Sequence, residues 1–297
     1  MPHSLLAPLA ECQTRFVVHD YDIEATLTSG QAFRWEWRDG AWEGIVGDHW
    51  VQLAFSKGSI VAVASEKTSD WTWLAHYLQL EISLPPILSS FPDDMPLRAA
   101  IQACRGLRLL RQEPWECLAS FILSSTKQIV QIRQIIHLLC ERFGEPVIVP
   151  PGYQPVYAFP SAHQLAQCSE ADLRDCKMGF RAPYLKAAAT MVARLDVDLG
   201  SLYDLPVDEA RIALMAIPGV GPKIADCVLL FAYGFQSAFP VDVWVIKALR
   251  ELYFRGRRVK IQRLQRFSES YFGPYAGYAQ QYLFHYMRLQ KKLAAKR

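Results

Sequence analysis

The spacing of apolar and polar positions divides the chain into a strand-like front and a helical remainder. Between residues 15 and 66 short apolar stretches alternate with turn formers. Phe16-Val17-Val18, Ala32 to Trp37, Trp42 to Val46, Trp50 to Leu53 and Ile60 to Val63 read as strands, with turns at Asp39-Gly40, Gly47-Asp48 and Lys57-Gly58. Asp70 to Leu80 changes to a helical period. Leu84-Pro85-Pro86 through Pro92-Asp93-Asp94-Met95-Pro96 reads as a loop that joins two domains. From Leu97 onward the pattern predicts helices over 97–104, 114–124, 128–143, 161–167, 170–176, 181–195, 208–216, 222–233, 243–252, 260–271 and 275–290. The expected fold class is therefore α+β: an N-terminal antiparallel β domain (residues 1–96) packed on a mainly helical domain (residues 97–297).

Within the helical part, Ile217-Pro218-Gly219-Val220-Gly221-Pro222-Lys223 separates two helices by a tight hairpin. Gly219 and Gly221 can take left-handed backbone angles and let a phosphate come close. Ile217 and Val220 are expected to pin the turn to the core. Pro222 suits a first helical position, and the N–H groups of that helix start attract an anion. The hairpin alone favours phosphate binding over a connector that binds nothing. Lys223 stands in the first turn of the next helix, where the helix dipole and an apolar surround both favour the neutral amine. A neutral lysine can attack a sugar C1′ and form a Schiff base; alone, it could be a surface lysine touching phosphate. Asp242, ahead of the amphipathic stretch Val243 to Leu249, looks like an N-cap. Backbone N–H bonds would keep its carboxylate ionised with a lowered pKa, able to stabilise an oxocarbenium-like sugar. Alone, it is simply a cap.

Composition narrows the partner. The formal charge is only +3, but from Asp242 to Arg297 there are 13 Lys and Arg against 3 Asp and Glu. That asymmetry points to a polyanion. Arg255-Gly256-Arg257-Arg258-Val259-Lys260 is the densest internal cluster, with another at Lys291-Lys292 and Lys296-Arg297. No apolar run approaches the roughly 20 residues of a membrane span, and Met1-Pro2-His3-Ser4 does not read as a signal peptide. The 7 cysteines show no C-x-x-C pair and read as free thiols of an intracellular protein. No set of cluster ligands follows Cys227, which argues against an iron–sulfur centre.

The stretches Ile217 to Cys227 and Phe239-Pro240-Val241-Asp242-Val243-Trp244 closely resemble the helix–hairpin–helix GPD DNA glycosylase superfamily. Gly30-Gln31-Ala32-Phe33-Arg34-Trp35, Gly106 to Gln112, Glu116-Cys117-Leu118 and Gly273 to Gly277 add a resemblance to its 8-oxoguanine DNA glycosylase/AP lyases, over roughly residues 15 to 290. The resemblance implies an N-terminal β domain, a helix–hairpin–helix glycosylase domain and DNA across the cleft. It implies excision of 8-oxoguanine, and of ring-opened purines with similar edges, with Lys223 as nucleophile, Asp242 as its acidic partner and β-elimination at the abasic site. Gly30 would accept from the N7–H of oxidised guanine, Cys227 and Phe284 would sandwich the base, and Gln280 would read its Watson–Crick edge. Arg181 would contact the orphaned cytosine, Phe180 would wedge into the duplex, and Thr126 would fill the gap. Gly219, Val220 and Gly221 would hold the DNA backbone. A monovalent or divalent cation would sit on the main-chain carbonyls of Met215, Ile217 and Val220, with no cofactor required. The expected partner is double-stranded DNA containing oxidised guanine, bound by a monomer away from any membrane.

The chain departs from that pattern at several positions. Thr126-Lys127-Gln128 replaces an asparagine run, and Gln131 replaces a second cytosine-reading arginine, which implies a relaxed preference for the opposite base. Trp244 stands where a histidine is usual, and Met287 where an aspartate often partners it. Two other classes remain. A monofunctional glycosylase for alkylated or mispaired bases would lack Lys223. A non-catalytic hairpin module would need neither Asp242 nor the segments around Gly30 and Gln280.

Overall fold

Five strands at the front of the chain form one antiparallel sheet: β1 (Gln13–Val17), β2 (Trp35–Arg38), β3 (Ala41–Val46), β4 (His49–Ser56) and β5 (Ser59–Ala64), in the order β1-β5-β4-β3-β2. The computed structural model describes residues 12–124 and 128–294. Trp35 pairs with Gly44 across β2 and β3, and its indole lies so close that a Cβ at Gly44 would come within 2.5 Å of the ring. The buried Trp35 N–H donates to the Tyr77 hydroxyl at 2.8 Å, tying the sheet to helix α2 (Thr72–Leu78). Leu53, Ile60, Leu74 and Leu78 complete this core.

The sheet is interrupted by a helix that strand-like spacing concealed. α1 (Ile23–Thr28) precedes β2, with Asp22 capping it by accepting from the Ala25 N–H at 2.8 Å. The chain is not extended again until Trp35, three residues later than the apolar run at Ala32 suggested. The segment read as an interdomain loop contains α3 (Leu84–Ser89), whose Pro85 and Pro86 fall in its first turn, where a proline removes no intrahelical bond.

The helical layer comprises α4 (Met95–Ala103), α5 (Pro114–Ser124), α6 (Ile129–Phe143), α7 (Ala162–Gln167), α8 (Glu170–Leu173), α9 (Ala182–Ala193), α10 (Val207–Met215), α11 (Pro222–Val228), α12 (Val243–Leu252), α13 (Ile261–Tyr271) and α14 (Ala276–Ala294). Two short strands, β6 (Pro146–Val147) and β7 (Val156–Tyr157), pair between α6 and α7. The expected helix 170–176 ends at Leu173 and continues as a wide π turn, in which Lys177 is left-handed at φ 64°. The expected helix 222–233 likewise relaxes to a π turn over Leu229–Tyr233 before Gly234 ends it in a left-handed cap. No helix among the described residues is long and apolar enough to cross a membrane.

Gln31 joins the two layers. Its buried side-chain amide donates to the carbonyls of Thr26 and Arg108 and accepts from the Leu110 N–H at 2.8 Å. Gln112 donates back to the Gln31 carbonyl at 2.8 Å. A buried polar group satisfied on every side fixes its neighbours, and here it fixes the loop that carries Gly30.

Candidate active site

The Gly30 loop, α5, α6, α11, α12 and α14 surround a cleft of about 850 Å3. Lys223 enters it from α11, directly after the first-turn Pro222. Its Nζ donates to the Ser124 hydroxyl at 3.1 Å and sits 5.3 Å from the centre of the Phe121 ring. Cys227 follows one helical turn later on the same wall. Burial pushes its thiol up to about 12 against the pull of Lys223, so it presents a neutral sulfur.

Asp242 caps α12 as its position suggested, accepting from the Val245 N–H at 2.8 Å. The expectation of a lowered pKa is reversed. Burial raises the Asp242 carboxyl above its ordinary value, opposed by the Val245 N–H, Lys223, the Trp244 N–H and the Arg288 guanidinium. The cap bonds do act in the expected direction, but loss of water outweighs them.

Gly30 has φ 84°, and a Cβ there would lie 3.2 Å from Arg288 Nη1 and 3.3 Å from the Phe284 ring. The backbone angle favours glycine, and a Cβ would also crowd the Arg288 and Phe284 side chains. Gln280, 3% exposed, lines the same cleft with its side-chain oxygen unpartnered. Phe284 forms a half-buried platform one turn further along α14. Trp244 lines the wall beneath Lys291, whose Nζ lies 5.2 Å from its ring centre, and Met287 is buried.

The hairpin differs from expectation at one glycine. Gly219 is left-handed at φ 82°, and a Cβ would come 2.6 Å from the Tyr184 ring. Gly221, with φ −101° and ψ −178°, is ordinary extended backbone and needs no left-handed freedom. It faces open space, with nothing within 4 Å of a Cβ placed there. Ile217 and Val220 are buried, while Met215 is 41% exposed. Val220 N–H closes the turn on the Ile217 carbonyl at 3.0 Å.

Phe180 and Arg181 do not line the cleft. Phe180 is 55% exposed on a 3-10 turn before α9. The Arg181 guanidinium lies 4.6 Å from the Phe180 ring centre and 5.6 Å from that of Tyr184, the ring that also meets Gly219. Burial lowers the pKa of Arg181, and its Nε has no partner. Thr126 lies outside the described residues. Gln131 accepts from the Gln128 N–H at 3.0 Å and so caps α6.

Two cleft residues escaped the sequence reading. Ser124 carries no local signal, since its role depends on where α11 docks. Arg288 does carry one: it stands four residues after Phe284 and eight after Gln280, on the same face of α14.

A hairpin between α10 and α11, an amine in the first turn after it and a capping carboxylate one helix later define a helix–hairpin–helix protein with an enzyme-like cleft. Two family models match in succession: the N-terminal domain of 8-oxoguanine DNA glycosylase over residues 15–118, and the HhH-GPD superfamily base excision DNA repair protein over 119–272. N-glycosylase/DNA lyase OGG1 of Arabidopsis thaliana is 32% identical over 88% of this chain and 76% of that protein. The solved structure of MBOgg1 with a low-affinity DNA ligand has a TM-score of 0.89 at 33% identity, covering 94% of this chain and 96% of that one. The 8-oxoguanine glycosylase/lyase of Clostridium acetobutylicum, solved with double-stranded DNA containing cytosine opposite 8-oxoG, has a TM-score of 0.86 at 31% identity, covering 91% and 93%. The chain belongs to the HhH-GPD superfamily of base excision DNA repair proteins, in its 8-oxoguanine DNA glycosylase/lyase family.

Proposed function

We propose that this protein is a bifunctional DNA repair glycosylase that excises 8-oxoguanine from duplex DNA and then cuts the strand at the abasic site. The observation that carries this reading is the gathering in one cleft of Lys223, Asp242, the neutral Cys227 thiol, the unpartnered Gln280 oxygen and left-handed Gly30. The target base leaves the stack and enters the cleft at a cost of a few kcal/mol. It lies between Cys227 and Phe284. The Gly30 carbonyl accepts its N7–H, which ordinary guanine lacks, and Gln280 bonds its Watson–Crick edge. Ring-opened purines present similar edges and fall within the same reach.

The Lys223 lone pair forms a bond to C1′ while the N-glycosidic pair leaves with the base. Asp242, ionised, stabilises positive charge on the sugar. The attached nitrogen passes one proton to O4′ as the C1′–O4′ bond opens, which leaves a protonated Schiff base; this acidifies C2′, and loss of a C2′ proton by β-elimination expels the 3′ phosphate. The amine in the cleft favours this course over a monofunctional glycosylase, and the cleft, roomy enough for an extruded nucleotide, favours it over a non-catalytic DNA-binding hairpin.

Around the reacting centre, the hairpin amides near Gly219, Val220 and Gly221 receive the DNA backbone, and the open space at Gly221 supports this. Phe180 wedges into the duplex with Arg181 beside it. The carbonyls of Met215, at the end of α10, and of Ile217 and Val220, in the hairpin, are neutral hard oxygens. They suit a monovalent or divalent cation, which when bound adds positive potential towards a backbone phosphate.

The test is a duplex with 8-oxoguanine opposite cytosine, incubated with borohydride. The wild type should be trapped covalently and nick the strand. Lys223→Gln should still bind the duplex while losing both the adduct and the nick. Retained nicking by that variant would overturn the assignment.

A further inference from the structure

Lys223 and Asp242 act on the sugar side of the bond that breaks, and neither addresses the base side. As the glycosidic bond opens, its electron pair passes to N9 of the base and spreads through the adjacent amide to the C8 oxygen. A donor fixed at that oxygen before the reaction would lower the barrier.

Gln280, Phe284 and Arg288 recur every four residues along α14 and all three line the cleft. Gln280 is the buried end, Phe284 the platform and Arg288 the cation at the mouth. The Arg288 guanidinium stacks 5.4 Å from the Phe284 ring centre. Its Nη1 lies beside Gly30, 3.2 Å from where a Cβ would stand, and donates to the Thr28 carbonyl at 3.3 Å. That bond uses one of five donors and aims the planar head. Gln281 donates to the neighbouring Ser29 carbonyl at 3.1 Å, which steadies the same loop.

We propose that Arg288 is a further catalytic residue, whose guanidinium donates to the C8 oxygen of the extruded base and stabilises its negative charge as it departs. This rests on the function proposed above, with the base on Phe284 and its N7–H at Gly30, because C8 adjoins N7. Lys223 cannot fill the role, since its nitrogen becomes bonded to C1′. Lys291 lies further along the helix over Trp244. The balance is simple: one C–N bond forms as another breaks, the released pair resides on the base, and Arg288 keeps all its protons. The departing anion takes its proton from water. Ordinary guanine carries C8–H at this point and offers the guanidinium no acceptor, so the contact sharpens discrimination in the chemical step.

The alternative role for Arg288 is to support the site, by pinning the Thr28–Gly30 loop or by holding Asp242 ionised, the second of which would shift the acid limb of base release in Arg288→Gln. Three measurements on Arg288→Gln and Arg288→Lys separate the two: single-turnover release of 8-oxoguanine, affinity for a duplex carrying the uncleavable 2′-fluoro analogue, and cleavage of a preformed abasic duplex. Arg288→Gln should slow base release about 100-fold. Affinity for the analogue and cleavage of the abasic duplex should stay within about three-fold, because neither contains a departing base. Arg288→Lys should recover part of the rate. Base release within about three-fold of wild type overturns the proposal. So does an equal loss in analogue affinity or in abasic cleavage, which is the mark of a loop support. Wild-type release of 8-oxoguanine in the same assay tests the proposed function separately.

Discussion

Lys223 donates to the Ser124 hydroxyl at 3.1 Å, a contact that reaches from the first turn of α11 to the last residue of α5. The hydroxyl anchors an otherwise flexible four-carbon side chain at one place in the cleft. Ser124→Ala removes that anchor without altering a packed apolar contact. A hydrogen bond of this kind is worth about 1 kcal/mol. The rate of borohydride trapping should therefore fall about five-fold, with the melting temperature lowered by no more than a few degrees. A trapping rate equal to wild type would show that the hydroxyl does not position the amine.

Asp242 gives a pH prediction with opposite signs for stability and activity. Burial raises its carboxyl in the folded protein, so the native state holds that proton more tightly than the unfolded chain. Stability from this group is full below the unfolded value, about 4, and falls as pH rises through the folded one. Asparagine caps a helix about as well as aspartate. Asp242→Asn should therefore melt at or above the wild-type temperature at pH 7, and the difference should fade on acidification. Base excision should fall steeply in the variant. In the wild type its acid limb should lie above the ordinary carboxylate range. Thermal melts and single-turnover rates across pH check both halves; an Asn variant that gains stability only in acid would contradict the sign.

The two hairpin glycines should separate folding from DNA binding. Gly219 is left-handed and abuts the Tyr184 ring, so Gly219→Ala should destabilise by roughly 1–3 kcal/mol. Gly221 is extended and open, so Gly221→Ala should leave the melting temperature within about 2 °C. The same added methyl lies where a phosphate would approach, and it should weaken duplex affinity several-fold. Unchanged affinity in Gly221→Ala would remove the backbone-contact role from this residue.

The parts legible in the sequence were those governed by local rules. The α12 boundaries follow from the Asp242 cap and an amphipathic run, and the end of the π turn after α11 follows from Gly234. Strand-like apolar spacing hid α1, because six residues are too few to show a helical period, and only Asp22 marked its start. The Pro85-Pro86 pair was read as a break although prolines begin helices as readily as they end them. In the site, Gln280 and Phe284 are legible through resemblance, whereas Arg288 on the same stripe is marked only by its helical spacing from them. The Asp242 carboxyl shows the limit most clearly. Its cap bonds are local and readable, but the burial that outweighs them comes from helices distant in sequence.

Opposite-strand recognition should be weaker than excision itself. Gln131, which by resemblance stands where a second cytosine-reading arginine would be expected, spends its side-chain oxygen on the Gln128 N–H of its own helix start. Arg181 remains as a cation beside the exposed Phe180, held by two aromatic rings. One charged bidentate reader discriminates by about 1–3 kcal/mol, and losing a second forfeits a similar amount. Duplexes with 8-oxoguanine opposite each of the four bases should therefore be processed at rates within about 100-fold of one another, cytosine fastest. Arg181→Gln should narrow that spread further. Phe180→Ala should slow excision from duplex far more than from single strands, since only the duplex needs its stacking replaced. A spread well beyond 100-fold in the wild type would mean that the cytosine is read by a group other than Arg181.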